Sequence, residues 1–217
     1  MENPFFTDPV TVSLHHHVLL PWAELRRLLP TPPQVISLDF HTDTLSAARR
    51  GLAIPAGAWQ DAGLLRDAVQ TLHHDEHFDW ALRTGLISRA DIIAISPQVG
   101  EYGHPAMQVH PLAPEMTPET VLQSPETIRH TADHALELLP EIQVSDPFIL
   151  DIDCDFFLTA NACSIPPDSL FAQWVRRAAM ITLSREDDWV KLLQLPGENL
   201  SGNFIAQHLA GQCLLFR

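Results

Sequence analysis

Two apolar runs that end in alternating acids constrain this chain more than any other feature. The first is Val35-Ile36-Ser37-Leu38-Asp39-Phe40-His41-Thr42-Asp43, and the second is Phe148-Ile149-Leu150-Asp151-Ile152-Asp153-Cys154-Asp155-Phe156. Short aliphatic and β-branched runs suit strands buried on both faces of a parallel sheet. Side chains alternate along a strand, so Asp39, His41 and Asp43 share a face while the extended geometry persists. Asp151, Asp153 and Asp155 do the same. Carboxylates gathered on one buried face repel one another unless cations lie between them. A binuclear metal site is the economical explanation.

The remaining pattern supplies a framework. Further strands are expected at 10–14, 91–96 and 180–183, beside those at 35–38 and 148–152. Helices are expected over 22–29, within 58–72, and over 75–84, 124–139 and 167–178, with a last one from 203. The Pro-, Gly- and His-rich stretch 97–125 reads as an irregular loop. Strands alternating with helices predict a single α/β domain over 1–217, a three-layer α/β/α sandwich with a mostly parallel sheet. Ligands of such sheets sit at the carboxyl ends of the strands. Both acid segments, the triplet His15-His16-His17 and the segment Ser184-Arg185-Glu186 all fall at such ends.

Composition excludes several classes of function. A formal charge of −14 without a basic stripe argues against nucleic acid, while it would draw in a cationic substrate. No apolar run approaches the length of a membrane span. Residues 1–4, Met-Glu-Asn-Pro, lack the basic and apolar regions of a secretory signal, so a cytoplasmic protein is expected. Cys154, Cys163 and Cys213 form no CxxC pair, which argues against a disulfide framework.

Each constellation also has a plainer reading. The Asp39 to Asp43 segment can be an Asx-type turn; as a ligand set, Asp and His without cysteine favour manganese over structural zinc. The Asp151-Ile152-Asp153 pair also occurs where a phosphotransferase forms an aspartyl phosphate. On an extended segment His15 and His17 share a face and His16 points away, so one ligand from this triplet is expected. The cluster His73, His74, Asp75, Glu76 and His77 is either a solvated helix start or the source of a general acid or base. His77 is the first choice there, and His104 is a second candidate of the same type. Glu186 is the first acid after the fifth expected strand.

Taken in order, His17, Asp39-x-His41-x-Asp43, Asp151-x-Asp153 and Glu186 resemble the ureohydrolase superfamily of arginases and agmatinases. The resemblance runs from about residue 10 to 190. It is nearer to a compact branch that includes peptide arginases, through His15 to Leu19, Asp39 to Asp43, Asp75 to Ala81 and Leu150 to Phe156. Asp153-Cys154-Asp155-Phe156-Phe157 departs from the Asp-Gly-Leu-Asp-Pro of ordinary arginases, and a Gly-Gly-Asp before the first histidine is missing. The resemblance implies an arginase-like fold and two manganese ions held by His17, in whose place His15 or His16 could serve, with Asp39, His41, Asp43, Asp151 and Asp153. It leaves Asp155 in a supporting role. It implies Glu186 as the guanidinium anchor, Glu76 and His15 as further substrate contacts, and His77 as the proton donor to the departing amine. The substrate would be a cationic guanidino compound, with arginine carried on a precursor peptide favoured over free arginine. A metal-dependent deacetylase on the related fold and a non-catalytic metal-binding protein are the alternatives.

Overall fold

The computed structural model describes residues 8–96, 103–113 and 116–217. Among these residues six strands make one sheet: β1 (Val10–Val12), β2 (Gln34–Asp39), β3 (Arg89–Ala94), β4 (Met107–Pro111), β5 (Phe148–Asp153) and β6 (Met180–Ser184). Their order is β1-β6-β5-β2-β3-β4, and every neighbouring pair is parallel. The helices are α1 (Leu19–Leu28), α2 (Ala62–Thr71), α3 (His77–Thr84), α4 (Pro118–Gln123), α5 (Pro125–Asp133), α6 (Leu170–Arg177), α7 (Asp187–Leu193) and α8 (Gly202–Phe216). Among the described residues, none is long and apolar enough to cross a membrane.

Strand alternation sends consecutive side chains into two separate cores, as the expected sandwich requires. Ile36, Leu38, Leu150, Ile152, Ile181 and Leu183 pack with Ile128 of α5, Trp174 of α6, Val190 of α7 and Leu209 of α8. Val35, Ile92, Ile149 and Met180 face the other way, against Trp22 of α1, Leu65 of α2 and Phe78 of α3. Each such side chain contributes about 1.5–3 kcal/mol when fully buried. On this second face the pattern changes near the carboxyl ends of the strands. Ser37 and Asp39 continue β2, Asp151 and Asp153 continue β5, and Thr182 and Ser184 continue β6, all of them buried. The apolar part of the sheet therefore supplies stability, and its carboxyl edge carries the polar groups.

Two parts of the framework differ from expectation. Within 97–125, the stretch expected to be irregular, Met107–Pro111 pairs with β3 as the edge strand β4, in register Ala90↔Met107. An edge strand needs only one partner, so Pro111 at its end is tolerated. The same stretch also holds α4, started by a reciprocal Thr117–Thr120 cap. Residues 1–7, 97–102 and 114–115 lie outside the described residues, and with them Glu101 and Tyr102 beside His104. Helix α7, directly after Glu186, is the second addition. Gly202, the first residue of α8, packs so closely on the Arg185 carbonyl that a Cβ there would lie 1.9 Å from its oxygen. That approach pins the backbone next to Glu186.

Candidate metal centre

Register brings the polar residues into rows. Ser37 on β2 and Thr182 on β6 both stand opposite Asp151 on β5. One step further along, Asp153 stands opposite Ser184, and Asp39 ends β2. Asp155 lies past the strand, in the 3-10 turn Cys154–Phe156, where its Oδ1 accepts the Phe40 N–H at 3.1 Å. Asp43 is turned back by a left-handed backbone (φ 45°), and Glu186 has the same conformation (φ 38°). These are the two non-glycine positions with positive φ among the described residues. Such conformations cost about 1–3 kcal/mol each and gather at functional sites.

His15 begins a 3-10 turn, His15–Val18, and enters the carboxylates edge-first. Its Nδ1 lies 2.9 Å from Asp43 Oδ2, 3.2 Å from Asp153 Oδ2 and 3.4 Å from Asp39 Oδ2. These separations are short, yet His15 Nδ1 and Asp39 Oδ2 are buried without a hydrogen-bond partner. Donor atoms this crowded, two of them without a hydrogen bond, are spaced as ligands of one ion would be. Neighbouring ligands of an octahedral ion at roughly 2.1 Å stand roughly 3 Å apart, so the spacing fits one divalent cation. A second group adjoins it. His41 Nδ1 lies 3.0 Å from Asp155 Oδ2 and 3.7 Å from Asp39 Oδ1, and Asp155 Oδ2 is again buried without a hydrogen bond. Asp39 thus turns one oxygen toward each group. The donor sets His15, Asp39, Asp153 and Asp39, His41, Asp155 are each compact enough to hold an ion; so is a third, His15, His77, Asp151, but there both Asp151 oxygens already accept hydrogen bonds from the protein.

The electrostatics follow from this crowding. Burial raises the carboxyls of Asp43, Asp153 and Asp155. The charge of Asp39 adds to the rise at Asp43, which reaches about 8, and at Asp155; Asp155 does the same for Asp153. Burial would lower both imidazoles, but Asp151 and Asp153 hold His15 well above its ordinary value, and Asp155 chiefly carries His41 to about 10. For Asp39, burial is outweighed by neighbouring His15, and its carboxyl falls below the usual range.

A raised folded-state pKa gives stability that is complete below the unfolded value and is lost as pH climbs through the folded one. For Asp43 that window runs from 3.8 to about 8, and for His41 from 6.5 to about 10. His16 and His77 are lowered by burial and act oppositely, mainly below 6.5. The metal-free protein should therefore melt at progressively lower temperature from pH 7 to 10, and divalent cations should remove most of that slope. Thermal melts with and without a chelator check this; a melting temperature that is flat or rises with pH in chelator would contradict it.

The structure sorts the expected site residues. From the histidine triplet it brings His15 to the carboxylates and not His17, because 15–18 is a 3-10 turn and not an extended segment. His17 stands edge-on to His16 at 4.6 Å and pairs with none of the acids among the described residues. Asp39, His41, Asp43 and Asp153 converge, and Asp155, expected in a supporting role, converges with them. Asp151 lies in the same region with both oxygens already bonded to protein groups.

Glu76 is not available to a substrate. Arg50 pairs with its carboxylate, which also accepts the His73 N–H at 2.8 Å. His77 is wholly buried beneath His15, with ring centroids 4.3 Å apart, and its Nδ1 meets the His74 carbonyl at 2.7 Å. Burial and the charge of His15 hold it well below its ordinary pKa, a poor setting for a proton donor to substrate. His104 Nδ1 accepts the Ala106 N–H in the turn before β4, apart from the compact donor sets.

Glu186 is buried at the start of α7, and its Oε1 accepts the His15 backbone N–H at 2.6 Å. Its carboxyl is raised by burial, and Asp155 is near enough to add to the rise. A cavity of about 220 Å³ opens beside the centre, lined by His41, Thr42, Asp43, Thr44, Leu45, His74 and Asp75. Trp189, one turn after Glu186, stands edge-on to His41 at 4.7 Å and to His74 at 6.2 Å. Sequence reading missed it, since a tryptophan on a short helix is ordinarily core.

No family model matches the chain, and no curated protein does. Among solved structures it is similar to a proclavaminate amidino hydrolase from Streptomyces clavuligerus, at 16% identity and a TM-score of 0.45, over 95% of this chain and 62% of that one. It is also similar to a hypothetical agmatinase from Burkholderia thailandensis, at 15% identity and a TM-score of 0.49, over 95% of this chain and 57% of that one. The chain spans about three fifths of the length of either structure.

Proposed function

We propose that the protein is a binuclear metal-dependent hydrolase of a guanidino group, releasing urea and leaving an amine. The observation that carries this reading is the set of orphaned buried donors, His15 Nδ1, Asp39 Oδ2 and Asp155 Oδ2, arranged in two groups that share Asp39. Uncompensated polar atoms of this kind are expensive to bury, and a pair of cations would satisfy them together. In this reading His15, Asp39, Asp43 and Asp153 hold one ion, and His41, Asp39 and Asp155 hold the other. Oxygen-rich sets with one imidazole each suit manganese. Bound there, the ions supply Lewis acidity and lower the pKa of water to near neutrality.

The chain's own groups do the rest. Glu186 holds the guanidinium through charge-assisted hydrogen bonds, one oxygen being steadied by the His15 N–H. His74, which lines the cavity, replaces buried His77 as the group that passes a proton to the departing amine. The formal charge of −14 favours substrates with positive charge beyond the guanidinium, so agmatine or a basic peptide is preferred to zwitterionic free arginine. The test is urea release from agmatine, free arginine and an arginine-containing peptide, with manganese added, alongside the metal content per chain. Two ions and turnover of at least one guanidine are expected. A single zinc and no urea from any of the three would favour the deacetylase alternative.

A further inference from the structure

We propose that Asp151 is a positioning residue, whose carboxylate fixes the His15 ring in the tautomer that turns a bare Nδ1 toward the cation site. The proposal rests on the metal centre described above and assigns Asp151 a place outside the ligand set. Asp151 is fully buried, and its oxygens are taken. Oδ2 receives the His15 Nε2–H at 2.7 Å and the Ser37 hydroxyl at 2.9 Å. Oδ1 receives the Thr182 hydroxyl at 2.6 Å, and Thr182 in turn accepts the Trp22 indole N–H at 3.3 Å. The donors come from β2, β6 and the 3-10 turn that holds His15, so the carboxylate is located by three separate elements.

An imidazole that ligates a cation is neutral, with one N–H and one lone pair, and its second proton leaves as the ion enters. With Nε2 committed as donor to Asp151, the lone pair falls on Nδ1, the nitrogen that faces Asp39, Asp43 and Asp153. The ring is also restrained by His77 at 4.3 Å and Phe78 at 5.8 Å, and the backbone by Glu186. A carboxylate behind a ligating histidine fixes its orientation and raises its basicity, and losing such a partner weakens metal binding about 10- to 100-fold.

Asp151→Asn tests this with little change in volume. Thr182 already accepts from Trp22 and donates to Oδ1, so the asparagine oxygen is drawn to Thr182 and its amide to His15 Nε2. The amide donates there, which forces the proton onto Nδ1 and closes the site. Calorimetric titration of the metal-free protein with manganese(II) should show one of two ions bound 10- to 100-fold more weakly, with the circular dichroism of the metal-free protein that of wild type. Thr182→Val and Ser37→Ala should shift the same ion in the same direction by less, and they carry the test if Asp151→Asn does not fold. A merely structural Asp151 would leave the affinity for both ions alone in a folded variant, which overturns the proposal. So does wild-type affinity for both ions in Asp151→Asn, or in both of the other variants. A wild-type protein that binds no divalent ion overturns the metal centre and this proposal with it.

Discussion

Replacing Asp39 by alanine should eliminate high-affinity binding of both divalent ions, where single changes elsewhere in the cluster remove one. The reason is geometric: Asp39 Oδ2 faces His15 Nδ1 at 3.4 Å, and Asp39 Oδ1 faces His41 Nδ1 at 3.7 Å. Asp155→Ala should spare the ion beside His15, and Asp153→Ala the ion beside His41. Each lost ligand is expected to weaken its ion by at least about 100-fold, at or above the upper end of what supporting groups contribute. The metal-free Asp39→Ala protein should remain folded, because the change also removes the charge that raises Asp43 and Asp155. Its local cost is the bond from the His41 N–H to Asp39, about 1 kcal/mol. Metal content after dialysis against manganese, with circular dichroism as the fold control, decides the matter. Retention of one tightly held ion would show that Asp39 does not serve both groups.

Glu186→Gln should leave both ions in place and lower kcat/KM by roughly 100-fold. The amide oxygen can still accept the His15 N–H, so the turn into α7 and its left-handed backbone are kept. What disappears is the negative charge opposite the guanidinium, and charge-assisted hydrogen bonding of about 3 kcal/mol corresponds to roughly 100-fold. The loss should appear mainly in KM, since the guanidinium is cationic before reaction and its anchor acts on the bound substrate. Steady-state kinetics on the substrate that wild type turns over, together with ion content, measure both halves. Unchanged kcat/KM would remove Glu186 from the site, and loss of the ions would make it a support of the metal centre instead.

Much of the framework follows from local pattern. The runs around Ile36 and Ile149 are apolar before their acids except at Ser37, and their short length and β-branched residues suit a strand covered on both faces. Gly85 closes α3 with φ 75°, as a helix-ending glycine does. β4 was not legible, because an edge strand with Pro111 at its end and intermediate burial has neither alternation nor a continuous apolar run. Its existence depends on β3 offering an unpaired edge.

Local pattern is enough to say which chemical groups meet at the carboxyl edge of the sheet. Apolar runs fix where strands end, and the acids and histidines follow those ends in the chain. Tertiary structure alone decided how these groups divide their work. Asp151, Asp153 and Asp155 have the same side chain and the same spacing, yet register sets Asp151 between Ser37 and Thr182, which satisfy it, and a 3-10 turn carries Asp155 to His41. The turn at His15–Val18 likewise selects His15 over His17. Arg50, 26 residues away, claims Glu76, and the packing of α1 and α3 buries His77. A carboxylate's role depends on its nearest donors, and those donors come from strands and helices distant in the chain, so no local pattern encodes it.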